Sequence, residues 1–253
     1  PIDKEVLDTY IRMQKNFFAN SSSAHRLGQE SAFMIEKART QIKETLGIAS
    51  HDVIFTSNAT EANNLAILGI AYKYKAGKII TTKIEHPSVY NVCRHLEEKG
   101  YEVVYLDVDK NGVIDIEQFK AELNSRVILV SIMWINNIVG SIQPILEIIQ
   151  ALKKYKKAKL HVDAVQGLGK VEHTFSLDDV DMFTYSAHKL YGPKGVGCLF
   201  VKNTIDIHRT LFGSSIQRGI KPGTLDVALC VSCAKSLTKY YTKTNENNKV
   251  VTK

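Results

Sequence analysis

The residues best suited to covalent chemistry lie between Tyr185 and Gly195. Lys189 follows Ser186 and His188, whose side chains can donate hydrogen bonds to a phosphate, and it precedes a turn built from glycine and proline. A lysine beside cationic and hydrogen-bonding groups can be activated to form a Schiff base. A lone lysine would be interpreted as a solvated surface amine, but polar segments at the ends of other predicted strands support a site here.

Three of these segments each offer one ligand-like side chain or pair. Asp163 ends a short apolar strand, where a buried carboxylate is costly unless a cationic group such as a ring nitrogen pairs with it. His86 stands at a strand-to-helix corner, where it can stack on a planar ligand or lie on the surface. Asn136 and Asn137, ahead of Gly140, can form a turn or contact a ligand. Ligands of parallel α/β sheets bind at the carboxyl ends of strands, so we expect one shared site.

The segment 56–63 joins a strand to a helix and is rich in small and hydroxyl-bearing residues. The N–H groups of a helix N-terminus, together with a threonine hydroxyl, form an anion site suited to phosphate. Equally, Asn58 with Glu61 three residues later can form a capping box that serves only the helix. Both interpretations stay open. The chain has no GxGxxG and no GxxxxGK[ST] pattern, so dinucleotide and ATP binding lose their usual support.

Apolar and helical patterns alternate along the chain. Apolar segments predict strands at 52–56, 78–82, 101–106, 127–133, 160–163, 182–185 and 195–201. Helical periodicity and end signals predict helices at 30–46, 61–74, 87–100, 116–123 and 145–155. This alternation indicates βαβ units. We therefore expect an α/β fold with a mostly parallel central sheet flanked by helices.

Composition excludes several classes of protein. Apolar residues are 44% and charged residues 23%, which is typical of a globular chain and not of a disordered or collagen-like one. No apolar run approaches the roughly 18 residues of a membrane span, and we expect no secretory signal.

The net charge is +7, and the densest cluster of positive charge lies at 153–159. We expect these residues to be solvated lysines at a helix C-terminus. The segment after Lys235 is expected to fray.

The four cysteines are Cys93, Cys198, Cys230 and Cys233. A long chain without a signal is not expected to carry disulfides. Cys230 and Cys233 have CxxC spacing, which can serve redox or metal chemistry, but neither a second CxxC nor a nearby histidine pair supports zinc. We therefore expect small apolar thiols on a helix, and no metal site.

Seven motifs, taken together, resemble one known family. They are, in chain order, 20–25, 56–66, Glu85-His86, 136–140, 161–166, 186–197 and 218–224. In this order, and over nearly the whole chain, they resemble the class V aminotransferase group of pyridoxal-phosphate (PLP) enzymes. Within that group they are most similar to the cysteine desulfurases of the NifS/IscS type.

The resemblance implies a PLP-dependent transferase fold of type I, of which this chain would be the large domain. It assigns Lys189 as the residue that carries the cofactor as a Schiff base, and Asp163 as the partner of the pyridinium nitrogen, which keeps the ring an electron sink. It places His86 against the ring, with a further role in proton transfer. The other implied cofactor contacts are Gln166 and Asn137 near the phenolic oxygen, Ala59, Thr60, Ser186 and His188 at the phosphate, and Thr224 at the phosphate of the neighbouring subunit of a homodimer.

Members of this family are longer, and the part implied to be absent is C-terminal. It would hold a smaller domain, a mobile loop with the cysteine nucleophile, and an arginine for the substrate carboxylate, so we assign none of the four cysteines as nucleophile. We expect an N-terminal helical segment at 1–16, the PLP-binding large domain at 17–230, and at 231–253 the start of a helix leading to the smaller domain. Asn58 replaces a usual glycine and can perturb the phosphate loop; Ile138 and Lys221 replace a usual Glu and Arg.

The activity implied is that of a cysteine desulfurase, which converts L-cysteine to L-alanine and an enzyme persulfide for iron–sulfur cluster or tRNA thiolation pathways, with this chain an incomplete form. The expected partner is a sulfur acceptor or iron–sulfur scaffold protein, without nucleic acid or membrane. We expect a cytoplasmic location, or an organellar matrix. Two alternatives stay open: another class V enzyme, such as a selenocysteine lyase or an aminotransferase, and a non-catalytic protein that keeps the fold as a binding subunit.

Overall fold

The computed structural model describes residues 1–244 of the 253-residue chain. Its strands are β1 (His51–Thr56), β2 (Lys78–Thr82), β3 (Glu102–Leu106), β4 (Val127–Met133), β5 (Lys159–Asp163), β6 (Met182–Ser186) and β7 (Gly197–Lys202). Its α-helices are α1 (Lys4–Asn16), α2 (Arg26–Leu46), α3 (Ala59–Ala71), α4 (Pro87–Glu98), α5 (Ile116–Glu122), α6 (Ile145–Leu152) and α7 (Val227–Tyr241).

The strands form one seven-stranded sheet in the order β1-β7-β6-β5-β4-β2-β3. Pairs from β6 to β3 are parallel, whereas β7 is antiparallel to both of its neighbours, β1 and β6. Every residue of β4 is buried, as expected for a parallel strand covered on both faces. The predicted α/β fold with a mostly parallel central sheet is therefore confirmed.

Helices cover both faces of the sheet. Along β7, Cys198 and Phe200 pack in the apolar cluster that contains α2 and α7, whereas Leu199 and Val201 pack in the cluster that contains α3 and α4. This alternation follows from the two-residue period of a strand, which points successive side chains to opposite faces. The two layers of helices leave the carboxyl ends of the parallel strands free to form a site.

Two predictions near helix ends need correction. The helix expected over 145–155 ends at Leu152, and the lysine-rich stretch follows it. The segment after Lys235, expected to fray, continues α7 to Tyr241. It does so because Lys239 Nζ contacts Asp3 Oδ2 at 3.0 Å and the Tyr240 hydroxyl donates to the same oxygen at 2.9 Å. These contacts tie α7 to the cap of α1.

The predicted domain boundaries stay a prediction. The helical segment expected at 1–16 corresponds to α1, but the helix expected to start at 231 begins four residues earlier, at Val227. The last part of the 231–253 segment lies outside the described residues. Across residues 1–244, every helix is too short or too polar to cross a lipid bilayer.

Candidate active site

A cavity of about 240 Å³ lies at the carboxyl ends of β4, β5 and β6, where Met133, Asp163 and Ser186 are the last residues of their strands. Nine of the ten site residues predicted from the sequence line it: Ala59, Thr60, His86, Asn137, Asp163, Gln166, Ser186, His188 and Lys189. The tenth, Thr224, is exposed and is not among the residues that line this cavity. Its predicted contact with a neighbouring subunit stays a prediction.

The N-terminus of α3 forms one end of the cavity. Asn58 caps this helix by accepting a hydrogen bond from Glu61 N at 2.9 Å, and Glu61 Oε2 accepts one from Ser57 N at 2.6 Å. The capping interpretation is therefore correct. It does not exclude the anion site, because the first N–H groups of a helix, here those of Ala59 and Thr60, have no intrahelical acceptor and face a cavity that both residues line.

The expectation that Asn58 perturbs this loop is wrong. The backbone of Asn58 is extended, with φ −174°, a conformation open to any residue, so glycine is not required there. The glycine that the loop does require is Gly197, at the start of β7. A Cβ at Gly197 would lie 2.7 Å from Tyr185 O and 3.0 Å from the carbonyl carbon of Asn58. Gly197 thus allows the loop and β6 to approach each other.

Ser186, His188 and Lys189 are held by a short 3-10 helix, Ala187–Leu190, that directly follows β6. The Ser186 hydroxyl lies 3.0 Å from His188 Nδ1. Burial lowers the pKa of His188, and the charges of Lys189 and neighbouring lysines act in the same direction. Lys189 Nζ has no hydrogen bond or salt bridge with any residue in the part of the chain that the structure describes. Lys189 lines the cavity, so its amine is available there without a competing partner among the described residues.

Asp163 is a buried carboxylate in the wall of the cavity. Its Oδ1 accepts a hydrogen bond from Val165 N at 3.1 Å, and its Oδ2 accepts one from Asn63 Nδ2 at 2.9 Å. Burial raises the pKa of Asp163, while these two hydrogen bonds and the charge of Lys189 act against that rise. A cation bound in the cavity would stabilise the charged form of Asp163 further, as expected of a partner for a ring nitrogen.

His86 is the N-cap of α4, and Pro87 occupies the first turn of that helix, as predicted. Its Nδ1 accepts a hydrogen bond from Ser88 N at 3.2 Å and lies 2.8 Å from Ser88 Oγ. Because both contacts involve the same ring nitrogen, the imidazole is held in one orientation at the edge of the cavity.

The adjacent residues Asn136 and Asn137 have different roles, although the sequence left both a turn and a ligand contact open for them. Asn136 is a turn-former, since its Oδ1 accepts hydrogen bonds from Ile138 N and Val139 N, both at 2.9 Å. Asn137 is exposed and lines the cavity. The ligand contact is thus available only to the second amide.

Three polar residues that sequence reasoning left without a role complete the site. Asn63 contacts Asp163, Lys170 Nζ donates to Gln166 Oε1, and Glu85 Oε1 accepts from Thr82 Oγ1 at 2.8 Å and Met133 N at 2.9 Å. Burial lowers the pKa of Lys170, as does the charge of Lys189. Burial raises the pKa of Glu85 to about 8. For Glu85 and Asn63 the available signal was their place inside two of the motifs, Glu85-His86 and 56–66; nothing in the sequence pointed to Lys170.

All four cysteines are buried. Cys230 and Cys233 lie on α7 and pack in the core, as predicted for small apolar thiols on a helix. Burial raises the pKa of Cys93 to about 12 and raises the pKa of Cys198 and Cys230 as well. Within residues 1–244, the structure places no group of three or more His, Cys, Asp or Glu side chains where they could hold a metal ion.

Comparisons with known proteins agree with this arrangement. The family model described as "Aminotransferase class-V" matches residues 1–228. The cysteine desulfurase IscS of Dictyoglomus turgidum is 40% identical over 239 residues, covering 94% of this chain and 60% of the relative. The putative cysteine desulfurase IscS 1 of Bacillus subtilis is 40% identical over 250 residues, covering 98% of this chain and 66% of the relative.

Solved structures show the same fold. A NifS-like protein superimposes with a TM-score of 0.92 and 35% identity, over 97% of this chain and 68% of that protein. The chain thus spans about two thirds, or slightly less, of the length of the relatives that it matches. A family match over residues 1–228, supported by these relatives, shows that the chain belongs to the class V aminotransferase family.

Proposed function

We propose that this chain is the PLP-binding part of a cysteine desulfurase, which takes sulfur from L-cysteine and leaves L-alanine. The observation that carries the proposal is that Lys189, Asp163 and the N-terminus of α3 open on one cavity. The relatives named above, and a mitosomal relative from Encephalitozoon cuniculi that is 38% identical, are named cysteine desulfurases.

The donor set of the cavity suits PLP. Lys189 offers an amine with no described competing partner, and Asp163 offers a buried carboxylate for a ring nitrogen. Thr60, Ser186 and the open N–H groups of α3 offer neutral donors for a phosphate. When bound, PLP supplies an electron sink for negative charge that develops on the substrate.

Each residue of the chain then has a defined task. With PLP bound, Asp163 would hold its charge opposite the ring nitrogen, and His86, fixed by Ser88, would cover the ring. Lys189 Nζ would accept and return the proton of the substrate α-carbon, because it is an amine of the cavity lining without a competing partner among the described residues. Gln166, held by Lys170, and Asn137 would contact the phenolic oxygen. Desolvation strengthens the interaction of Asp163 in particular, because this carboxylate is buried whereas His86, Asn137 and Lys189 are exposed.

The persulfide would form on a cysteine other than the four in this chain. A sulfur carrier must meet both the substrate and an acceptor, whereas these four thiols are buried, and burial raises the pKa of Cys93, Cys198 and Cys230. We further propose a homodimer in which Thr224 contacts the phosphate of the neighbouring subunit, and a sulfur acceptor or iron–sulfur scaffold protein as partner. The proposed location is the cytoplasm or an organellar matrix.

The test uses protein expressed from its complete reading frame and loaded with PLP. L-cysteine and a thiol reductant should give alanine and sulfide in equal amounts. Turnover restricted to L-selenocysteine would instead identify a selenocysteine lyase, and amino-group transfer to a keto acid would identify an aminotransferase. PLP binding without turnover on any of these substrates would identify a non-catalytic binding subunit.

A further inference from the structure

Asn63 is fully buried on α3, yet it bonds two residues that lie far from it in the sequence. One N–H of its Nδ2 donates to Asp163 Oδ2 at 2.9 Å, and the other donates to Ser88 Oγ at 2.9 Å. Its Oδ1 is buried and has no hydrogen-bond partner among residues 1–244. The amide therefore acts through its two N–H groups alone.

The carboxylate of Asp163 determines the direction of the first hydrogen bond. A carboxylate only accepts, so Asn63 must present its Nδ2 to Asp163; the reversed amide would set two oxygens against each other. The second N–H then occupies a lone pair of Ser88 Oγ. The Ser88 hydroxyl lies 2.8 Å from His86 Nδ1 and is closer to it than Ser88 N, at 3.2 Å, so the hydroxyl is the main donor that favours an unprotonated Nδ1.

We propose that Asn63 is a positioning residue that links Asp163 to His86 through Ser88: the buried amide orients the carboxylate and the Ser88 hydroxyl, and the hydroxyl, donating to Nδ1, favours the imidazole tautomer with hydrogen on Nε2. The two groups it links are those that would contact the ring nitrogen and the ring face. That role rests on the proposed function. The hydrogen-bond chain itself belongs to the protein without cofactor and is measurable there.

The neighbouring Asn64 provides a matched control. It is on the same helix and its Nδ2 donates to Thr60 O at 2.9 Å, outside the chain of contacts that includes Asp163. N64A thus removes an identical side chain one position away. S88A is the second variant, because it removes the hydroxyl but leaves the Asn63–Asp163 contact.

The experiment is NMR on the cofactor-free protein with labelled histidine and aspartate, with His86 assigned by the loss of its signals in H86N. Wild type should show an unprotonated Nδ1 and a protonated Nε2. N63A should lose this single tautomer and raise the pKa of Asp163. S88A should change the His86 tautomer and leave the titration of Asp163 unchanged, and N64A should change neither.

Several results would overturn the proposal. An Nδ1-protonated His86 in wild type would contradict it, as would folded N63A with the same His86 and Asp163 signals as N64A. If N63A does not fold, S88A tests the part of the proposal that concerns His86. An unchanged His86 tautomer in S88A would contradict the proposed link through Ser88. Since none of these readouts uses PLP, their outcome is separate from success or failure of the proposed desulfurase activity.

Discussion

Glu85 Oε1 accepts a hydrogen bond from Met133 N at 2.9 Å, which ties the corner that carries His86 to the end of β4. The other carboxyl oxygen, Oε2, is buried and has no hydrogen-bond partner within the described part of the chain. An oxygen of this kind is far less costly as the hydroxyl of a neutral acid than as half of a carboxylate. The geometry therefore agrees with the raised pKa of Glu85.

A pH dependence of stability follows from Glu85. Burial raises its pKa from 4.5 to about 8, while the hydrogen bonds from Met133 and Thr82 oppose the rise. Between these values the folded protein keeps a proton that the unfolded chain releases, so the free energy of unfolding falls as pH rises, by up to about 1.4 kcal/mol per pH unit. E85Q, which mimics the neutral acid, should remove this contribution and gain stability over wild type toward pH 8.

Urea denaturation of wild type and E85Q across that pH window measures the effect. The control is E98Q, because Glu98 is exposed on α4 and should show the wild-type dependence. A stability difference between E85Q and wild type that stays constant with pH would show that Glu85 does not titrate as stated.

Asp163 is expected to matter more for turnover than for cofactor affinity. D163N keeps the shape of the side chain but replaces a charge with a neutral amide, which cannot hold a pyridinium proton by charge pairing. A hydrogen bond to a charged group is worth about 1.5–3 kcal/mol, so turnover should fall roughly 10- to 100-fold. Alanine release and PLP titration, both measured on the protein expressed from its complete reading frame, separate the two effects. Near-wild-type turnover in D163N would contradict the assignment.

We expect that none of the four cysteines acts as the nucleophile that takes sulfur from the substrate. Each is buried, and burial raises the pKa of Cys93 to about 12, so a nucleophilic thiolate is scarce at neutral pH. The folded 253-residue chain should react slowly with iodoacetamide at all four positions and rapidly in urea. With PLP and L-cysteine it should show at most a spectral change, without sustained sulfide release. Robust turnover that disappears when one of the four is replaced would identify that residue as the sulfur carrier.

Gly197 is expected to control the phosphate end of the cavity. A Cβ there would lie 2.7 Å from Tyr185 O and 3.3 Å from Ala59 N, so G197A should displace the loop that begins α3. We expect a loss of about 1–3 kcal/mol in stability from overpacking, together with weaker PLP binding.

G28A is the matched control for Gly197. A Cβ at Gly28 would collide with Ser23 O and lie 2.8 Å from Asn20 O, and none of these three residues is among those that line the cavity. It should therefore cost stability without changing PLP affinity in the folded protein. If G197A and G28A bind PLP equally well, Gly197 does not shape the phosphate site.

Much of the fold could be predicted from short-range pattern. β2 occupies the predicted range, Lys78–Thr82, because turn signals bound its apolar residues on both sides. The position of β7 between β1 and β6 could not be predicted, since alternation of strands and helices does not specify which strands pair antiparallel. The continuation of α7 past Lys235 also depends on partners more than 230 residues away, Asp3 and Glu5.

The site was predictable where a polar residue directly ends a strand. Asp163 and Ser186 are the last residues of β5 and β6, so their convergence follows from parallel pairing. Asn63 was missed because it lies inside a helix, where only the packing of α3 on the sheet brings it to Asp163. Lys170 was missed for a similar reason, since its contact with Gln166 depends on the turns that follow β5.

The central claim is that Lys189 is the amine that holds PLP, and borohydride trapping with peptide mapping tests it most directly. The folded chain, mixed with PLP and reduced, should carry the cofactor on the Lys189 peptide, and K189A should carry none. Lys170 is the natural competitor, because burial lowers its pKa and its charge is close enough to interact with that of Lys189; K170A should still label at Lys189. Labelling at Lys170 or another lysine, or no labelling of a demonstrably folded chain, would contradict the account.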